Sequence, residues 1–106
     1  MLILFSFLAC TPTYDNFPSK LAAVVCDRMK ECALGAFDAT YDDASECQDE
    51  LMDRYETYLD EIDDDDFDEA DASDCIAELQ SRDCEDIVTE EFPSECRQAG
   101  AYGYYY

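Results

Sequence analysis

The stretch SECQDELMDRYETYLDEI, residues 45–62, decides the fold class. Cys47, Leu51, Tyr55, Tyr58 and Ile62 recur along it at intervals of four, four, three and four, which places them on one side of a helix. Met52 and Leu59 widen the stripe. Ser45, followed three residues later by Gln48, has the form of a capping box, in which each side chain satisfies a backbone N–H at the helix start. The spacing predicts an α-helix over 45–62.

Upstream the same period recurs in Phe17, Leu21, Val25, Met29 and Cys32. Asn16 stands where an N-cap belongs, Pro18 is tolerated in a first turn, and Gly35 suits a C-terminal cap. A first helix is expected from Phe17 to Leu34, after a polar tether over 10–16. The next ten residues, GAFDATYDDA (35–44), carry turn chemistry.

Downstream, DEIDDDDFDEADASD (60–74) holds ten acids in fifteen positions. A block so charged cannot bury itself and is expected as a solvated loop. Ser73 then suits the cap of a third helix, Ser73–Arg82, burying Cys75, Ile76 and Leu79. Ile87, Val88 and Phe92 suggest a further turn or short helix, broken at Pro93, and Ser94-Glu95-Cys96 opens a last one. The expected fold is an all-α, disulfide-stapled three-helix bundle over 17–99, with short extra helical turns near its C-terminus. GAYGYYY (100–106) lacks apolar periodicity and reads as a flexible tail.

Composition sets the chemistry. The chain has 106 residues, 28 acidic against six basic, no histidine and a formal charge of −22. Self-repulsion on that scale favours a soluble monomer, opposes compaction, and argues against nucleic acid as a partner, since phosphates call for Lys and Arg clusters. A domain this small buries only about 60–65% of its unfolded surface, so a further source of stability is expected. Seven cysteines are the obvious one, and disulfides in an oxidising compartment are their natural use. Zinc-type pairs two residues apart are missing.

Residues 1–9, MLILFSFLA, form an apolar opening too short to span a bilayer. They are expected as a signal segment. The join Phe7-Leu8-Ala9-Cys10 resembles the lipobox of bacterial lipoproteins, in which a small residue precedes a cysteine that becomes the lipidated N-terminus. Lipidation of Cys10 leaves six cysteines, enough for three disulfides.

Geometry prunes the fifteen pairings that six cysteines allow. Cys26 and Cys32 stand about 9 Å apart along one helix, beyond the ~7 Å that a disulfide spans between α-carbons. Cys32 ends the first helix and Cys47 begins the second across a short loop, so Cys32–Cys47 is expected. In an up-and-down bundle Cys84 rises to the height of Cys26, giving Cys26–Cys84. That leaves Cys75–Cys96.

The whole pattern resembles small acidic six-cysteine lipoproteins and secreted proteins from myxobacteria and related predatory bacteria. The residues that carry the resemblance are the Ala9-Cys10 join, the segment Cys26-Asp27-Arg28-Met29-Lys30-Glu31-Cys32, and the Ser-Glu-Cys or Ser-Asp-Cys helix starts. It implies an extracytoplasmic address at the outer membrane or cell surface, and no activity.

Histidine-dependent catalysis is excluded by composition, and no Cys-x-x-Cys redox pair occurs. The expectation is a non-enzymatic, surface-tethered interaction or structural module without a cofactor, membrane-bound through Cys10 and offering acidic surface to a basic protein partner. The alternative is a divalent-cation module in which the acidic loop takes up Ca²⁺. Asp64, Asp66 and Asp68 fall at the first, third and fifth positions of an EF-hand loop, but Glu69 replaces its glycine and Cys75 its final glutamate.

Overall fold

Phe17, Leu21, Val25 and Met29 are fully enclosed along the first helix, α1 (Phe17–Cys32), as their spacing requires. The computed structural model of the chain describes residues 12–89 and 92–100. Around α1 gather α2 (Leu34–Thr40), α3 (Ala44–Leu59), α4 (Glu69–Ser81), and two short helices, α5 (Cys84–Thr89) and α6 (Ser94–Gln98). One turn of 3-10 helix, Asp64–Asp66, precedes α4. The fold is all-α and disulfide-stapled, with no strand among the described residues.

Contacts at the two ends of α1 fix the topology. Tyr14, just before α1, donates its hydroxyl to the carbonyl oxygens of Leu59 (3.0 Å) and Ile62 (3.2 Å), where α3 ends. Cys26, in the far half of α1, is bonded to Cys47 in the first turn of α3. The two helices are therefore antiparallel. Tyr14 and Phe17 pack on Phe67, which precedes α4, with ring centroids 5.7 and 5.6 Å apart. Cys32 is bonded to Cys84 beyond the end of α4, so α4 runs parallel to α1. α6 folds back against α4.

The core draws Leu51, Tyr55 and Leu59 from α3 and Ala72 and Leu79 from α4, with Ile87 and Phe92 closing it. Each large apolar side chain buried in this way contributes about 1.5–3 kcal/mol. Burial pushes the Tyr55 hydroxyl well above the ordinary tyrosine range. Among the described residues no charged side chain is buried in the core, and the acids remain outside.

Several boundaries differ from the sequence expectation. α1 stops at Cys32 rather than Leu34, and the expected turn that follows is mostly helix α2. Phe37 is the reason: helical backbone here carries it into the core, where its ring meets Tyr41 at 5.5 Å. Gly35 consequently lies inside a helix and not at a cap. The true cap of α3 is Asp43, whose carboxylate accepts from Glu46 N–H at 2.9 Å, and Ser45 sits within the first turn. Asn16 stands at the N-cap of α1, but its side chain instead accepts from Thr13 N–H. The supposed tether is packed from residue 12 onward, with Pro12 buried and Tyr14 pinned.

The acidic run divides in two. α4 begins four residues before Ser73, because Asp68 caps it by accepting from Asp71 N–H at 3.0 Å. Glu69 and Asp71 then occupy the first turn, where the helix dipole favours negative charge. At the C-terminal side Ala99 and Gly100 are buried, so packing extends past the expected boundary at 99. Residues 101–106 of the expected flexible tail lie outside the described residues, as do the expected signal segment 1–9 and Cys10.

The disulfides are Cys26–Cys47, Cys32–Cys84 and Cys75–Cys96. The third is the pair expected. The first two correct Cys32–Cys47 and Cys26–Cys84, whose partners are exchanged. Two boundary shifts account for the exchange. Helix α2 occupies the connection that was to bring Cys32 to Cys47, and α3 meets α1 one level lower, at Cys26. The earlier start of α4 raises its far end by about 6 Å, which carries Cys84 toward Cys32.

Candidate functional site

The far end of α1 gathers unlike side chains. Arg28, Glu31 and Cys32 lie on one side of the helix, since positions three and four apart share a face; Glu31 is exposed, and Arg28 and Cys32 are half-buried. Arg28 Nη1 donates to the Glu31 carboxylate and Nη2 to the carbonyl oxygen of Arg82, between α4 and α5. Its Nε is enclosed with no acceptor among the described residues. Arg82 also pairs with Glu78 at 3.7 Å. Two of the chain's six cationic residues thus flank the Cys32–Cys84 bond.

That bond differs from the other two in exposure. Cys26, Cys47, Cys75 and Cys96 are at most 1% exposed, whereas Cys84 is exposed and Cys32 half-buried. A carboxylate oxygen of Glu31 lies within 4.8 Å of both sulfurs. Alongside runs an open groove of about 460 Å³, lined by Val24, Asp27, Arg28 and Glu31 of α1 with Gln48 of α3 and Gln80 of α4.

The opposite end is acidic. A cleft of about 200 Å³ lies between Tyr14, Pro18, Glu56, Leu59 and Asp60. The Tyr14 hydroxyl is pushed above its ordinary pKa by desolvation and then by Asp60, Asp64 and Asp63. Asp71 is likewise raised, by desolvation and then by Asp68, Asp74 and Glu95. Asp64 and Asp66, named from the sequence as cation ligands, are exposed on the 3-10 turn, and Asp68 is engaged as the cap of α4. Among the described residues the metal-capable group whose ligand atoms converge is instead Glu31, Cys32 and Cys84.

Sequence reasoning passed over Arg28 and Glu31 as members of a site. The only available signal was their spacing beside Cys32, since the approach of Cys84 and Arg82 depends on how α4 docks. No family model, no curated protein and no solved structure matches this chain, so the reading of its function rests on the residues themselves.

Proposed function

We propose that this chain is an extracytoplasmic, non-enzymatic interaction module, tethered to a bacterial outer membrane or cell surface through lipid on Cys10. The observation that carries the reading is that six of the seven cysteines are consumed in three disulfides, leaving Cys10, at the lipobox-like join, outside that framework. The bonds themselves point to an oxidising, extracytoplasmic environment. The resemblance to small acidic lipoproteins of myxobacteria supports the same address.

A tether at Cys10 would be short. Pro12 is buried, so Thr11 alone separates Cys10 from packed structure, a span of about 7 Å at most. A lipid on Cys10 holds the acidic, Tyr14 end against the surface. α1 carries the Cys32–Cys84 end outward by about 24 Å, and the exposed acids along α3, Asp49, Glu50, Asp53 and Glu56, are the surface offered to a basic protein partner. The Ca²⁺ alternative has less support, because Asp68 already serves as a helix cap.

Intact mass of the protein recovered from its native envelope, with and without reduction before alkylation, tests the proposal. The expected species lacks residues 1–9, carries acyl groups, and gains six alkylations only after reduction. An unprocessed chain that alkylates at seven thiols without reduction overturns it.

A further inference from the structure

We propose that Glu31, Cys32 and Cys84 form a redox-gated site for a thiophilic divalent cation, closed while Cys32–Cys84 is a disulfide and opened by a dithiol reductant. The proposal does not depend on how the chain is anchored.

Access selects the bond. Thiol–disulfide exchange requires an attacking thiolate to reach a sulfur, and exposed bonds are attacked first. Cys84 is exposed, whereas the four cysteines of the other two bonds are sealed in the core. Local charge favours the products. In a chain of net −22, the Arg28 guanidinium pairs with Glu31, whose carboxylate lies within 4.8 Å of both sulfurs, and donates to the carbonyl of Arg82, two residues before Cys84. A cation in such a neighbourhood offsets the surrounding negative charge and stabilises thiolates.

The step balances. A dithiol transfers two electrons and two protons to the bond, becoming a cyclic disulfide and leaving Cys32 and Cys84 as thiols. A cation then displaces two protons to solvent and is held by two thiolates and the Glu31 carboxylate, whose oxygen already lies within 4.8 Å of both sulfurs. Three protein ligands of this type suit Zn²⁺ with its fourth position open to water. Reduction leaves Cys26–Cys47 and Cys75–Cys96 to hold α3 and α6, so the site opens within a folded domain.

The test uses the full chain with Cys10→Ser, which removes the seventh thiol. Graded dithiothreitol followed by alkylation and peptide mass is expected to label Cys32 and Cys84 while the other four remain bonded and helical circular dichroism persists. The partly reduced protein is then titrated with Zn²⁺, and with Co²⁺ to read thiolate-to-metal absorption. One ion per chain is expected, with binding weaker by about tenfold or more in Glu31→Gln, a loss comparable to that for supporting residues around known metals. Simultaneous labelling of all six cysteines overturns the proposal. So does absence of stoichiometric binding, or unchanged binding in either Glu31→Gln or the Cys32→Ser/Cys84→Ser double variant.

Discussion

Gly100 has φ +94°, and among the described residues it is the only one in left-handed backbone. A Cβ there would lie 3.0 Å from Ile62 Cδ1 and 3.4 Å from Leu59 Cδ1. Gly100→Ala is expected to destabilise the domain by about 1–2 kcal/mol in urea unfolding, the scale of left-handed strain in an L-residue. Gly35 presents the opposite case, lying inside α2 with nothing within 4 Å of the added carbon. Gly35→Ala is expected to stabilise by about 0.5–1 kcal/mol in the same assay. The sequence suggests the reverse roles, a cap at 35 and a frayed end at 100. What fixes Gly100 is contact with Ile62, which lies 38 positions away in the chain and leaves no local mark.

At the scale of the element, the long helices were legible because their apolar residues repeat at helical spacing. The period also misled at its edge. Leu59 is 2% exposed, whereas Tyr58 and Ile62 are only half-buried. Steps of four from Cys47 to Leu59 follow the seam against α1 more closely than the mixed steps read from the sequence. Helix starts were harder to read, since several Asp and Ser residues stand close enough to compete for each cap. The geometry assigns α3 to Asp43 and α4 to Asp68. Replacing either by Ala is expected to cost about 1 kcal/mol relative to Asn, which removes the same charge but keeps the cap. Thermal unfolding of the Ala and Asn variants side by side checks this, with Ser45→Ala expected to change little.

For the whole molecule, charge governs how stability depends on pH. Desolvation and then the neighbouring Asp68, Asp74 and Glu95 raise the folded pKa of Asp71 above the ordinary aspartate range, so the folded state holds its proton more tightly than the unfolded state does. Stability from this group is therefore gained as pH falls through the folded value. Relief of repulsion among 28 acids acts in the same direction. The melting temperature is expected to rise on mild acidification from pH 7, the reverse of ordinary acid denaturation. At the alkaline side Tyr14, Tyr41 and Tyr55 are all raised above 10.0, chiefly by desolvation. Their contribution is complete below pH 10 and is lost as the pH climbs through their folded values. Thermal scans across both ranges, read with tyrosinate absorbance at the alkaline end, check the two slopes. The all-α class was legible from pattern and cysteine count alone. The pairing was not, because helix α2 and a four-residue shift in α4 exchange two partners, and both depend on tertiary packing.

The three disulfides close rings over residues 26–47, 32–84 and 75–96, and each ring overlaps the next. Every peptide bond between Cys26 and Cys96 therefore lies inside at least one ring. A protease that cuts once anywhere in that span leaves a nicked chain whose halves stay covalently joined. The protection is uneven, because residues 48–74 are spanned by Cys32–Cys84 alone. Opening that one exposed bond turns the acidic segment before α4 from a nick that is tolerated into the place where the molecule comes apart.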